Sequence, residues 1–358
     1  MKGVNWEVGS TWYADDYKYS TEAPRCLSWL GCHGDMTLLS TCRSAISYIL
    51  YNNRKGRRAL VPAFTCHSVI SPFVDAGYEV FGYPLKENLS IDVDGLAALV
   101  GNVHPDVILV HGYFGFDTIG NAAEYLEWCR SQGIIVIEDM TQTMFSTFGR
   151  PESDYIVGSI RKWLPVPDGA FLSGFKITGL SEDIQLSEAK IDAMRSKNQY
   201  IIYGKGTKET FMPKFFKAER ILDSRFGPYA ISGYTLPMLK DIDLQAFAAK
   251  RKHNFNYLAT RLHSHPEISL IFSRATDDVV PFQLPVFVSD GRSEFQKYMA
   301  SHNVYPTIIW KCPEELEKET NAAMRMIYDR ILCFHIDQRY DEDDMDKIAD
   351  IIDSYFER

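Results

Sequence analysis

At 358 residues, with 46% apolar and 24% charged side chains, the chain is long enough for two domains and has a folded, globular composition that excludes general disorder. A net charge of −9 excludes a duplex-binding footprint, which needs a concentrated Lys/Arg face, so no nucleic-acid partner is expected; Arg54-Lys55-Gly56-Arg57-Arg58 reads as a solvated loop. The opening residues lack the apolar stretch of a signal peptide, and no apolar run approaches the roughly 18 residues that span a bilayer; the expectation is a cytoplasmic protein without a membrane partner.

In chain order, an aromatic-rich arm covers 1–35, and apolar spacing over 38–52 predicts a helix behind a Ser-Thr opening. A short apolar run over 59–62 precedes a helix-like 67–76 and a strand-like 78–81. Residues 92–101 return to helical spacing, 106–111 form an apolar, largely β-branched run, 121–132 are helical and 134–137 make another buried strand. Such alternation is the pattern of a parallel sheet covered by helices, with ligands expected beyond the C-terminal strand ends. Strand candidates at 155–159 and 170–173 flank Lys162, and 182–227 read as helical and charged, broken by Gly204-Lys205-Gly206. From Tyr234 the pattern becomes α+β: a helix over 243–263, strands near 268–272 and 282–288, a helix over 292–301, a short strand around Tyr305 and a final acidic helix over 341–356. The expected division is an arm over 1–35, a large domain over 36–233 and a small domain over 234–358.

Seven scattered cysteines, an odd number, fit reduced thiols better than a disulfide framework. Cys26, Cys32 and His33 have no second ligand pair at zinc-site spacing, so no metal is expected.

Three segments carry chemistry. The apolar strand before Glu138-Asp139-Met140-Thr141-Gln142 ends in two carboxylates and an amide. A carboxylate at that depth is costly unless it faces a cation, and a protonated pyridine nitrogen is such a cation; the plain alternative is a helix cap. Lys162 follows a strand, where its amine can reach the sheet edge and form an imine once deprotonated; the plain alternative is a solvated surface lysine, which this context disfavours. Ser159 and Arg161 beside it can donate to a phosphate. Ser40-Thr41-Cys42 opens a helix, which makes either an anion site or an ordinary N-cap.

In this order, across about 36–180, these segments resemble the DegT/StrS family of pyridoxal-phosphate sugar aminotransferases, which share the aspartate-aminotransferase fold. The family's phosphate-binding turn resembles Ser40-Thr41-Cys42, and its next segment resembles Val61-Pro62-Ala63-Phe64-Thr65. Ala76-Gly77, His111 to Gly115, Glu138 to Gln142, Lys162 and Asp168-Gly169-Ala170 complete the series. The resemblance implies an α/β large domain with a mainly parallel sheet, a smaller α+β domain and pyridoxal 5'-phosphate as cofactor. It implies that Lys162 is the Schiff-base lysine, that Asp139 pairs with the pyridine nitrogen and that Gln142 approaches the phenolic oxygen. Thr41, Cys42 and Ser159 would hold the phosphate, and His67 stands near the family's usual ring-stacking aromatic. Beyond 180 the family's segment through which a second subunit helps close the site has no clear copy, with Ser232-Gly233-Tyr234 nearby; the resemblance to a family whose sites are completed across a two-fold interface implies a homodimer. Tyr305, Trp310 and His335 are candidates for substrate contact, with core packing the alternative for the two aromatics. The implied reaction moves an amino group from an amino acid, with glutamate expected, to a keto-sugar. Family dehydratases that act on deoxysugars replace the lysine with histidine.

Competing readings are weaker. Ser159-x-x-Lys162 matches a serine-lysine nucleophile motif without its Ser-Asp-Asn and Lys-Thr-Gly companions, and Gly204-x-Gly206 lacks the third glycine of a dinucleotide fingerprint. A non-catalytic or regulatory protein of the same fold, or a pyridoxal-phosphate enzyme with a non-sugar substrate, remains the alternative.

Overall fold

The computed structural model describes residues 3–14, 35–53, 56–174, 176–225, 227–239, 242–317 and 320–357. Cys26, Cys32, His33, Arg54 and Lys55 lie outside them. Packing divides the chain into two compact units that interleave in sequence. The first takes Met1–Trp6, Thr11–Asn53 and Tyr155–Leu244; the second takes Glu7–Ser10, Arg54–Asp154 and Gln245–Arg358. Elements are numbered in chain order across both.

In the first unit, β8 (Ala170–Ser173) pairs antiparallel with both β2 (Met36–Leu39) and β7 (Tyr155–Gly158). Helix α1 (Cys42–Asn52) packs on these strands through Ala45, Ile46, Ile49 and Leu50. The helix expected from residue 38 therefore starts four residues later. Leu38 and Leu39 satisfy helical spacing locally, but they pair with Phe171 and Ala170, and a partner strand more than 130 residues away is invisible to local periodicity. Helices α5 (Ile184–Tyr203) and α6 (Lys208–Asp223) form a hairpin. It closes on Ile191, Ala193, Met194, Phe211 and Phe215. The expected glycine break is the C-cap of α5, where Gly204 takes φ +64°. A single turn, α7 (Thr235–Met238), closes the unit.

The second unit holds four parallel strands in the order β6 (Ile135–Asp139), β5 (Val107–His111), β3 (Arg58–Pro62), β4 (Glu79–Tyr83). Crossovers run through α2 (His67–Asp75), α3 (Val93–Val103) and α4 (Ala123–Ser131). Every residue of β5 is buried, as a strand covered on both faces requires. Parallel strands share one C-terminal edge, so Ala63-Phe64-Thr65, His111 to Phe116 and Asp139 to Thr143 collect there.

The same unit contains an antiparallel sheet of β9 (Ile268–Leu270), β10 (Leu284–Val288) and β12 (Ile331–Phe334) with β10 central. It also contains most of α8 (Leu244–Leu262), all of α9 (Arg292–Ser301), and β1 (Val8–Gly9) paired parallel with β11 (Val304–Tyr305). Helix α10 (Ala322–Arg330) and β12 were not expected: the chain passes from helix to strand between Arg330 and Ile331 with no glycine or proline to mark the change. The acidic helix α11 (Glu342–Phe356) opens on an Asp341/Asp344 capping box and buries Met345, Ile348, Ala349 and Ile352. Among the described residues no helix is long and apolar enough to cross a membrane.

Candidate functional site

The lysine-bearing turn lies in the first unit. After β7, Ser159 is buried and leads into one tight turn, Ile160–Lys162, in which the Lys162 N–H bonds to Ser159 O at 3.3 Å and the Trp163 N–H to Ile160 O at 3.0 Å. Trp163 anchors the turn in the core, while Lys162 itself is exposed. The loop that follows is locked by Asp168, whose buried carboxylate accepts from the Ser232 N–H at 3.0 Å, Ser232 Oγ at 2.7 Å and the Thr235 hydroxyl. Gly169 turns the corner with φ +124°, where a side chain would be strained. Its N–H donates to Ser40 O at 2.8 Å, and the Arg161 N–H donates to Gly169 O at 3.2 Å. These two bonds stitch the lysine turn to the start of α1.

At that start, Thr41 is the N-cap: its hydroxyl accepts from the Ser44 N–H at 3.1 Å and lies 2.7 Å from Ser44 Oγ. Cys42 is the first helical residue. Ser40 Oγ is buried without a hydrogen-bond partner. The first-turn N–H groups of a helix have no carbonyl partners within it, and the helix dipole adds positive potential there. Charge on α6 faces the same region. Burial raises the Glu219 carboxyl, but Arg161, Lys190 and Lys162 outweigh it and hold that carboxyl below its ordinary range.

The acidic and amide candidates lie in the second unit. Asp139 closes β6 opposite His111 of β5, buried, and Oδ1 accepts the Thr141 N–H at 2.8 Å. Gln142 is buried, and its Oε1 accepts the Phe114 N–H at 2.8 Å. A backbone donor fixes the amide's orientation, leaving Nε2 as the group it presents elsewhere. His111 Nε2 lies 3.1 Å from Thr65 Oγ1, within an aromatic cluster of Phe64, Tyr113, Trp310 and Tyr328. Burial pushes the His111 imidazole down to about 3. The unfolded chain therefore takes up a proton near pH 6.5 that the folded chain refuses, so this stabilisation is complete above pH 6.5 and is lost as pH falls toward 3. Urea unfolding between pH 7 and pH 4 should show His111→Gln losing stability less steeply than the unmodified chain, by up to ~1.4 kcal/mol per pH unit. Equal slopes would contradict the buried neutral imidazole.

The remaining candidates are also in the second unit. His67 opens α2, its side chain 68% exposed and 3.7 Å from Glu315. Trp310 is half-buried, 4.9 Å from the Phe64 ring and 5.6 Å from His111, so the packing alternative holds for it in part. The Tyr305 hydroxyl donates to Asn303 Oδ1 at 3.3 Å. His335 Nε2 lies 3.0 Å from Thr307 Oγ1, with Nδ1 3.8 Å from buried Asp337. Thr41, Cys42, Ser159 and Lys162 thus belong to the first unit, and His67, Asp139, Gln142, Tyr305, Trp310 and His335 to the second. Sequence reasoning missed Arg150, described below, because an arginine's backbone partners leave no local pattern. Among the described residues no group of His, Cys, Asp and Glu could hold a metal, and Cys42, Cys66, Cys129, Cys312 and Cys333 form no disulfide.

No family model matches the chain, and a search of curated proteins finds no match. Solved structures do match along most of their length. The aminotransferase TlmJ from Streptoalloteichus hindustanus is 15% identical over 91% of this chain and 88% of its own, with a TM-score of 0.66. PseC from Helicobacter pylori, an aminotransferase involved in pseudoaminic acid biosynthesis, is 13% identical over 98% of this chain and 100% of its own, with a TM-score of 0.68. GDP-4-keto-6-deoxy-D-mannose-3-dehydratase from E. coli, solved with bound hydrated PLP, is 13% identical over 97% and 100%, with a TM-score of 0.65. At these identities the likeness is one of fold: the chain has the aspartate-aminotransferase fold that its ordered motifs imply.

Proposed function

We propose that the protein is a pyridoxal-phosphate-dependent aminotransferase of the DegT/StrS type, moving an amino group from an amino acid, with glutamate as the expected donor, to a nucleotide-linked keto-sugar in surface polysaccharide or amino-sugar biosynthesis. The observation that carries this reading is the corner where the Gly169 N–H meets Ser40 O and joins the Lys162 turn to the start of α1. The residues there suit the cofactor, because the unpartnered, buried Ser40 Oγ stands beside helix-start donors that favour a phosphate. Bound pyridoxal phosphate supplies an electron sink for negative charge at the donor's α-carbon.

Lys162 would hold the cofactor covalently, and its freed Nζ would move the proton at the donor's α-carbon in one half-reaction and at the sugar's amine-bearing carbon in the other. Thr41, Cys42 and Ser159 would hold the phosphate. Asp139, a buried carboxylate, would face the ring nitrogen, and Gln142, with its oxygen taken by Phe114, would donate through Nε2 to the phenolic oxygen. His67 is assigned the ring face, and Tyr305, Trp310 and His335 the substrate. A large domain over 36–233, a small domain over 234–358 behind an arm over 1–35, a homodimer and a cytoplasmic location belong to the same reading. Retention of Lys162, where family dehydratases carry histidine, favours amino transfer over dehydration.

An absorbance scan tests the proposal. Glutamate should bleach the visible band of the cofactor-loaded protein, and a member of a panel of keto-sugar nucleotides should restore it. A loaded protein whose spectrum responds to no amine would favour the regulatory alternative.

A further inference from the structure

Asp139 and Gln142 stand on a segment with little regular hydrogen bonding of its own. Beyond β6 the chain passes through consecutive turns over 141–145, closed by the Thr143 N–H to Met140 O and the Ser146 N–H to Thr143 O, both at 3.0 Å. One side chain spans these turns. Arg150 Nη1 donates to Glu138 Oε1 at 2.6 Å and to Thr143 Oγ1 at 3.1 Å, while Nη2 donates to Thr143 O at 2.6 Å and Ser146 O at 3.4 Å. Beyond the turns, Ser146 Oγ donates to Gly115 O at 2.6 Å and accepts the Val280 N–H at 2.9 Å.

Glu138 is fully buried and points to the opposite face of β6 from Asp139, since side chains alternate along a strand. Its Oε2 has no hydrogen-bond partner, and burial raises its carboxyl against the pull of Arg150. A buried ion pair stabilises a fold little more than apolar residues of the same volume. What apolar residues cannot reproduce is the forked guanidinium, which reaches a carboxylate and two backbone carbonyls at fixed angles.

We propose that Glu138 and Arg150 are a positioning pair: the guanidinium, held by Glu138, sets the 140–146 turns so that the Asp139 carboxylate and the Gln142 amide keep their directions toward the cofactor. This rests on the reading under Proposed function. Neither residue touches the reacting atoms; both act through the turn they brace.

Three variants separate positioning from folding. Glu138→Gln keeps the shape and removes the charge. Arg150→Lys keeps the charge and loses the fork. The double variant Glu138→Leu/Arg150→Met replaces the pair with apolar groups. The double variant should melt close to the unmodified protein. In the cofactor-free protein its amides over 141–145 should exchange about tenfold faster or more, with β5 unchanged, and its Kd for pyridoxal phosphate should rise about tenfold or more, the scale of one lost charge-assisted hydrogen bond. Glu138→Gln and Arg150→Lys should both fall between the double variant and the unmodified protein. The pH titration of the visible band should also shift in the loaded variants, a readout that a purely structural pair would leave alone. Exchange and Kd both matching the unmodified protein in the double variant would overturn the proposal. If that variant fails to fold, Arg150→Lys decides on the same two readouts. The exchange measurement needs no cofactor, so a protein that binds none refutes the aminotransferase reading and leaves the brace to be judged by exchange alone.

Discussion

Lys162→Ala should still fold and should lose amino transfer by at least ~10³-fold, because one amine serves as both covalent anchor and proton carrier. The turn that presents it does not depend on the side chain: its bonds run from the Lys162 N–H to Ser159 O and from the Arg161 N–H to Gly169 O, and Trp163 supplies the buried anchor. Removal of an exposed side chain leaves all of these in place. Turnover within tenfold of the unmodified protein, measured with glutamate and a responsive keto-sugar, would return Lys162 to the status of a surface lysine.

Asp139→Asn should lower turnover by roughly 10²–10³-fold, the scale on which a buried electrostatic partner acts. Asparagine preserves the shape, and its side-chain oxygen can still accept the Thr141 N–H that Asp139 Oδ1 accepts at 2.8 Å. The substitution therefore removes the charge while sparing the turn, so thermal melting should move little. Asp139→Ala, which loses both, should melt lower. Unchanged turnover in Asp139→Asn together with a lower melting point in Asp139→Ala would show that the carboxylate only closes a turn.

The parallel half of the fold was legible because buried strands announce themselves. The β5 run from Val107 to His111 is apolar except for its last residue, and the spacing of α3 and α4 follows a 3.6-residue period. The polar residues just past β5 and β6 could then be named from the strand ends alone. What stayed hidden depends on distant pairing. Met36–Leu39 becomes a strand through β8, and Ile331–Phe334 becomes one through β10; neither neighbour is adjacent in sequence. At the start of α1 the Thr41 hydroxyl caps the helix, and the anion reading belongs to the proposed function, where the unpartnered Ser40 Oγ beside it is the observation in its favour. The orientation of Gln142 follows from the Phe114 N–H, and the brace on its turn from Arg150, whose backbone acceptors leave no mark in the sequence.

Whether Lys162 holds the cofactor is read by reducing the pyridoxal-phosphate-loaded protein with borohydride, digesting it and sequencing the pyridoxyl-bearing peptide. A single modified residue, Lys162, is expected in the peptide that contains Ser159 and Trp163. A label on another lysine, or a protein that takes up no pyridoxal phosphate, would contradict it.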